Sequence, residues 1–299
     1  MDGILIIYKE KGYTSHDVVA KLRGILHQRK IGHTGTLDPQ AEGVLPVCLG
    51  TATKLCDMLA DRSKEYRAGV RLGVETDTQD IFGQVLREEA VFVTEQQIRE
   101  AVNSFVGTYD QIPPMYSAKK VNGKKLYELA RQGKEIKREP CRVQIHSVHI
   151  EKIEIPDFIL SVECSKGTYI RTLCHDIGQK LGCGACMTSL LRTKVGMFSL
   201  EQAFTLSQIE EKQADGTLRS YIIPVENVFK QQPAIVVKPE ADHLLMNGNR
   251  LEIRDLQDGA EQSEMVRVLD SNEQFQALYG WDKEKNDFKP IKMFLRSGI

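Results

Sequence analysis

Residues 32 to 39, Gly-His-Thr-Gly-Thr-Leu-Asp-Pro, hold the densest group of special residue types in the chain. His33 and Asp38 are the titratable side chains in this stretch, so any chemistry done here is imidazole or carboxylate chemistry. Gly32 and Gly35 permit backbone angles that other residues avoid. Pro39 pushes Asp38 out of the helical region, which holds the carboxylate on a stiff turn rather than on a helix face. Gly, Thr, Asp and Pro are also the ordinary residues of surface turns. Taken alone, the stretch cannot be told from one.

The rest of the chain bounds what such a carboxylate can act on. A length of 299 residues suggests two domains, or one large domain with an appendage. A composition 41% hydrophobic and 27% charged is that of a globular protein with a real core. The net charge of -1 announces no polyanionic partner, but residues 1–200 carry 28 Lys and Arg against 24 Asp and Glu, and the remainder 12 against 17. A polyanion would therefore be handled mainly by the first two thirds. Seven cysteines follow no disulfide framework, and Cys183-Gly-Ala-Cys186 lacks a second Cys or His pair at zinc-ribbon distance, so no metal is expected there. The apolar run Ile4–Ile7 is too short for a signal sequence and no stretch is long enough to span a membrane, which makes the cytoplasm the expected compartment and excludes a membrane partner. There is no phosphate-binding glycine loop, no dinucleotide fingerprint, no His-Glu-x-x-His and no Gly-x-Ser-x-Gly elbow. Chemistry without a cofactor on a bound polymer fits better than hydride or phosphoryl transfer.

The elements that must position the turn read as follows. Gly3 to Tyr8 is a buried strand. Thr14 and Asp17 form a capping box opening a helix with Val18, Val19, Leu22, Ile25 and Leu26 on one face. Val44 to Leu49 is a short strand interrupted by Pro46, and a helix runs from about Thr51 to Leu59. Lys64 to Gly73 alternates, with Tyr66, Ala68, Val70 and Leu72 on one face and Arg67 and Arg71 on the other. Thr94 and Gln97 cap a helix bearing Ile98, Val102 and Phe105. Val143–Ile150 and Phe158–Cys164 are strands, and Thr168–Leu181 is a helix stopped by Gly182. Strands outnumber helices without alternating regularly with them, which points to an α+β fold with a mixed or mainly antiparallel sheet.

Two regions differ in texture. Residues 112–140 carry Lys119, Lys120, Lys124, Lys125, Arg131, Lys134, Lys137 and Arg138 against three glutamates, with Tyr116 and Tyr127 interleaved. Such a run is either a solvated loop with a short helix or a nucleic-acid contact, and its bounding prolines suit a movable flap. After Gln231-Gln232-Pro233 come short strands (Ala234–Lys238, Met265–Leu269, Gln274–Tyr279, Pro290–Leu295), a brief helix at Ala241–Met246 and turns at Asn247-Gly248 and Asp258-Gly259, the size of a small β-barrel module. The expected boundary lies near residue 230, giving domains 1–230 and 231–299.

Gly35-Thr-Leu37-Asp38 matches the Gly-x-Leu-Asp signature of pseudouridine synthases, and the longer Gly32–Pro39 stretch resembles the bacterial tRNA pseudouridine synthase B (TruB) family. Further matches follow in order: Lys9…Gly12-Tyr-Thr14-Ser15, Lys64-Glu-Tyr66, Leu72-Gly…Thr76-Asp77-Thr78-Gln-Asp80, Pro113-Pro-Met-Tyr116-Ser-Ala-Lys119, Gly167-Thr-Tyr169-Ile-Arg171 and Leu190-Leu-Arg192-Thr193 through Phe198. Glu10 departs from the family, which usually has Pro there. The resemblance implies isomerisation of the T-loop uridine of tRNA (uridine-55) to pseudouridine by base flipping, with no cofactor and no obligate protein partner. It implies Asp38 as the catalytic carboxylate, Arg171 as its cationic partner and Tyr66 as the residue stacking on the base and relaying the C5 proton. Tyr169 and Leu190 would line the base pocket, and His33 would meet the gap left by the flipped base. Lys119, Lys120, Lys124, Lys125 and Arg131 would contact the RNA, and the C-terminal module would be a PUA-like RNA-binding barrel.

The residue types suit that reaction. Carboxylates serve at a sugar's anomeric carbon because they attack it, stabilise its positive charge or take a proton nearby. Other readings are a non-catalytic tRNA-folding chaperone on the same scaffold, a glycoside hydrolase, for which a second carboxylate is missing beside Asp38, and a guide-RNA-dependent relative.

Overall fold

Strand β1 (Gly3–Lys9), buried except at Tyr8, lies beside β3 (Glu42–Leu49), with β2 (Ile31–His33) on the other side of β3. A computed structural model describes residues 1–121, 123–258 and 261–295. Helix α1 (Ser15–Ile25) opens on the Thr14–Asp17 capping box, in which the side chain of each residue accepts from the other's N–H. It buries Val18, Val19 and Leu22 against β1 and β3. Pro46 does not interrupt β3, contrary to the sequence expectation. Its carbonyl accepts from Thr34 N–H (3.1 Å), so its nitrogen faces the same side, just past the point where the β2 ladder ends at His33 opposite Val47. A missing donor there costs no ladder bond.

The expected helix at 51–59 is also different. Residues Gly50–Leu55 form a 3₁₀ turn and only Cys56–Ala60 are α-helical (α2). Asp2 accepts from Thr51 N–H (2.6 Å) and the Thr51 hydroxyl (2.8 Å), and Thr53 bonds Gly50 O (2.7 Å), so local side-chain bonds favour the tighter i→i+3 pattern.

Strand β4 (Lys64–Leu72) alternates as expected. Tyr66, Ala68, Val70 and Leu72 enter the main core, while Arg67 and Arg71 pair outside with Glu151 (2.6 Å) and Asp157 (2.9 Å). After it come a small hairpin, β5 (Val74–Thr76) and β6 (Val85–Glu88), helix α3 (Glu95–Asn103) and edge strand β7 (Gly107–Gln111). Within the basic segment, β8 (Lys120–Val121) and β9 (Lys124–Lys125) pair, and α4 (Leu126–Ala130) buries Leu126 and Leu129. The segment thus has a hairpin as well as the short helix. Strands β10 (Cys141–Glu154) and β11 (Asp157–Cys164) are followed by α5 (Ile170–Leu181), ended by Gly182 in the left-handed conformation.

Strand β12 (Ala185–Val195), unanticipated from sequence, is the keystone. It pairs antiparallel with β4 along most of its length and parallel with β3 at Leu191–Glu42 and Arg192–Gly43. With β13 (Phe198–Ser199), the nine-stranded sheet runs β1-β3-β12-β4-β11-β10-β7, mixed and mainly antiparallel. Helices α3 and α5 cover the core on the β4–β11–β12 face, and α1 and α6 (Leu206–Ala214) cover β1–β3.

Past residue 230, β14 (Ala234–Val236), β15 (Val266–Leu269), β16 (Phe275–Asp282) and β17 (Asp287–Met293) form a second sheet, ordered β14-β15-β16-β17, with the short helix α7 (Asp242–Met246) between β14 and β15 in the chain. The connection 251–256 joins its two edges: Leu251 and Phe288 exchange both backbone bonds, and Leu256 bridges Val237. That closure makes a small barrel around Val266, Val268, Ala277, Tyr279 and Phe288. Leu278 and Phe294 pack instead against Ile4, Val44 and Leu55, so the barrel shares a core with the larger sheet. The Asn247-Gly248 turn is present with Gly248 at φ 68°, and Gly259 of the other expected turn lies outside the described residues.

Candidate active site

The turn carrying Asp38 is pinned from several sides. Ser15, at the start of α1, accepts from Leu37 N–H through its hydroxyl (2.9 Å). Gly12 N–H (2.8 Å) and the Lys9 ammonium (3.2 Å) both donate to Pro39 O, and Arg192 Nη1 donates to Thr36 O (3.4 Å). Lys9 is wholly buried beneath the turn, and desolvation lowers its pKa to about 8 against the attraction of Asp38 and Glu42. Gly35, at φ 156°, lies at the edge of the region reserved for glycine, where the chain turns toward Asp38.

The Asp38 carboxylate meets Arg171, from the first turn of α5, at 2.9 Å. The arginine side chain is 6% exposed and the aspartate 42%, because the carboxylate opens onto a cavity while the guanidinium sits behind it. Arg171 also donates to Tyr116 O (2.7 Å) and approaches Asp80 (3.9 Å), so its cation lies between two carboxylates. Desolvation pushes the Asp38 pKa above its ordinary value. Arg171 opposes this, Asp80 adds to it, and Lys9 opposes it.

The cavity in front of Asp38 has a volume of about 310 Å³ and is walled by Tyr66, Tyr169, Leu190, Met187 and Lys119 among others. Tyr66 projects from β4, and burial raises its phenol pKa. Tyr169 is fixed through its backbone: Gln111 accepts from Tyr169 N–H (2.7 Å) and donates to Tyr169 O (3.0 Å), and the Gln111 amide also contacts the Tyr109 hydroxyl. The structure therefore brings Asp38, Arg171, Tyr66, Tyr169 and Leu190 around one hollow.

His33 is placed elsewhere. Its ring lies edge-on to His16 (5.3 Å) and accepts from Gly35 N–H (3.3 Å), outside the cavity wall. Burial and the neighbouring His16 lower its pKa. Of the basic residues, Lys119 reaches the cavity wall with its ammonium against Cys141. Lys125 and Arg131 flank the Tyr127 ring (5.4 Å each) beside a second hollow of about 510 Å³, on the other side of the Asp38–Arg171 pair. Lys120 and Lys124 stand exposed on the hairpin. Cys183 and Cys186 are buried free thiols.

Sequence reasoning assigned no role to Asp80, Gln111 or Arg192, which hold the site together. Asp80 and Arg192 fall inside quoted motifs; Gln111 carries no sequence signal.

Two family descriptions match the chain: TruB family pseudouridylate synthase (N terminal domain) over residues 23–170, and tRNA pseudouridylate synthase B C-terminal domain over residues 171–230. The tRNA pseudouridine synthase B of Lachnoclostridium phytofermentans is 52% identical over 99% of this chain and 100% of its own length. The chain belongs to the TruB pseudouridylate synthase family. The tRNA pseudouridine synthase B of Clostridium perfringens is 45% identical over 99% of both chains. Among solved structures, the TruB-type chain resembles one in a Cbf5-Nop10-Gar1 complex, with a TM-score of 0.74 at 28% identity, covering 98% of this chain and 85% of that one. Another, in an H/ACA RNP bound to a substrate RNA containing 2'-deoxyuridine, has a TM-score of 0.72 at 26% identity over the same shares. The boundary between the two TruB descriptions falls between Ile170 and Arg171, so Asp38 and its cationic partner come from different ones.

Proposed function

We propose that this TruB-family isomerase converts the T-loop uridine of tRNA (uridine-55) to pseudouridine as a stand-alone enzyme, with Asp38 as the reacting carboxylate. The observation that carries this is the Asp38 carboxylate, 2.9 Å from a buried Arg171, facing a cavity walled by Tyr66, Tyr169 and Leu190. A volume of about 310 Å³ is at the small end of the range for ligand pockets and suits a single extruded base.

Isomerisation breaks the C1′–N1 bond, forms C1′–C5, removes the C5 proton and places one on N1. Nothing is oxidised and no group is lost. Asp38 acts in its ionised form, as nucleophile at C1′ or as base at C2′, and Arg171 keeps it ionised against the desolvation of a filled pocket. Tyr66 supplies a stacking face for the uracil and a hydroxyl at C5. Lys119, Lys120, Lys124, Lys125 and Arg131 contact the RNA backbone around the opening. His33 and His16, whose rings meet edge-on outside the pocket, face the RNA there. The closed barrel after residue 230 acts as a PUA-like RNA-binding module.

The test is incubation of the purified chain alone with unmodified tRNA, followed by pseudouridine-specific mapping. The proposal requires pseudouridine at the T-loop position and none with Asp38→Asn, which still binds tRNA. Normal turnover by that variant sinks the assignment of Asp38. A chain that refolds tRNA without modifying it is the chaperone instead.

A further inference from the structure

Arg192 is a buried cation that the mechanism above does not use. It stands directly across the β12–β4 ladder from Tyr66, and both residues wall the same cavity. Only 2% of it is exposed. Its Nε donates to Val44 O (2.7 Å) and its Nη1 to Thr36 O (3.4 Å), which ties β12 to β3 and to the catalytic turn. Among the described residues its buried Nη2 meets no hydrogen-bond partner at normal geometry, and the Tyr66 hydroxyl is the side-chain group that feels this guanidinium as a donor. An unmet buried guanidinium N–H is costly to keep. The backbone is shaped around it as well: a Cβ on Gly43, at φ 105°, would lie 2.2 Å from Arg192 O, so this close approach needs glycine.

A guanidinium held at two corners by backbone carbonyls is a rigid fork with one free tine. The charge facing Tyr66 from β12 is this one, and it holds the phenol pKa down against burial. The other groups acting on Tyr66, Cys164 and Asp38, push the opposite way.

We propose that Arg192 is a positioning residue for Tyr66: anchored by Val44 and Thr36, it presents Nη2 to the phenolic oxygen and registers the ring against the turn carrying Asp38. The inference rests on the isomerase reading above. In the last step the phenol's own proton passes to water, the resulting phenolate oxygen takes the C5 proton, whose electron pair stays with the base, and N1 takes one proton from water. Negative charge on the phenolic oxygen rises and falls during that relay, and a fixed cation at its edge lowers the cost.

The test is a double-mutant cycle of Arg192→Gln and Tyr66→Phe, read as the single-turnover rate of pseudouridine formation on unmodified tRNA with enzyme in excess. Arg192→Gln is expected to slow the reaction by about a hundredfold while tRNA affinity changes less than about threefold. In the Tyr66→Phe background the same substitution should change the rate less than about threefold, and Arg192→Lys should recover part of the loss. Equal slowing in both backgrounds, or none, overturns the proposal. Should Arg192→Gln melt far below the parent protein, Arg192→Lys takes its place in the cycle. An arm independent of activity uses protein labelled with ¹³C at tyrosine Cζ, where the Tyr66 resonance, assigned by its loss in Tyr66→Phe, must shift in Arg192→Lys; an unmoved resonance also overturns the proposal. Absence of pseudouridine from the unaltered chain overturns the isomerase reading, and the resonance still reports on the contact.

Discussion

Arg171 and Asp38 meet at 2.9 Å with opposite exposures, the cation sealed at 6% and the carboxylate open to the cavity at 42%. The arginine is thus placed to tune the aspartate rather than to touch solvent. Arg171→Ala should abolish most turnover, and in its residual activity the acid limb of kcat should move to higher pH. The sign follows from the balance at Asp38: desolvation raises its pKa and Arg171 opposes that, so removing the cation leaves the rise unopposed. A pH–rate profile of both proteins checks this, and an acid limb that stays put or moves to lower pH contradicts it.

Gln111 should matter although it is 1% exposed and distant in sequence. Gln111→Leu removes both bonds to the Tyr169 backbone and leaves that N–H without a partner, while the carbonyl keeps only its bond from Leu173 N–H (3.0 Å). A loss of about 1–3 kcal/mol in stability is expected. The kcat should fall too, because the start of α5 carries Arg171. Urea unfolding and steady-state kinetics on the same preparation measure the two effects.

Gly43→Ala should be among the most damaging single substitutions. The new methyl would sit 2.2 Å from Arg192 O, at a φ of 105° that L-residues rarely adopt. A destabilisation above about 3 kcal/mol is expected from the combined clash and strain. Thermal denaturation of the soluble fraction tests it, and a melting temperature within two or three degrees of the parent would contradict it.

Lys9 gives a pH signature. Its pKa in the folded protein is about 8, below the unfolded value of 10.5, so between these pH values the unfolded chain holds more protons. Stability therefore gains from Lys9 as pH rises through that window, because the penalty of the buried charge is relieved. Lys9→Met should remove this contribution, so the difference in unfolding free energy, parent minus variant, should rise from pH 8 to 10. A flat difference rejects the assignment.

For the hairpin, Lys120→Ala and Lys124→Ala should each weaken tRNA binding and reduce the slope of log affinity against log salt by roughly one phosphate contact. At saturating tRNA the rate should be unchanged. A salt titration of binding decides it.

The parts of this molecule legible in its sequence are those governed by local rules. The α1 and α3 capping boxes, the Gly182 stop and the alternation of β4 depend on neighbours within a few residues, and each is present as read. Strand β12 escaped because register shifts at Met187/Ser189 and at Arg192/Lys194 break its two-residue period. Pro46 misled because its tolerance depends on where a neighbouring strand stops, which no local pattern encodes. That Asp38, Arg171, Tyr66, Tyr169 and Leu190 wall one cavity was expected only through motif resemblance. Gln111 and Arg192 act by holding backbone carbonyls and amides far along the chain, a relation invisible before the sheet is assembled.

The insertion of β12 between β3 and β4 has a consequence for the order of events during synthesis. The strand that joins β3 to β4 is the last long one of its sheet to be made, and before it arrives β3 and β4 have no common neighbour. A nascent chain ending near residue 180 would carry Asp38, Tyr66 and Arg171 yet lack the wall formed by Leu190 and the brace formed by Arg192. Catalytic competence should therefore switch on late and all at once, when the ribosome has released enough chain for β12 to slot in, so that incomplete copies lack a finished pocket.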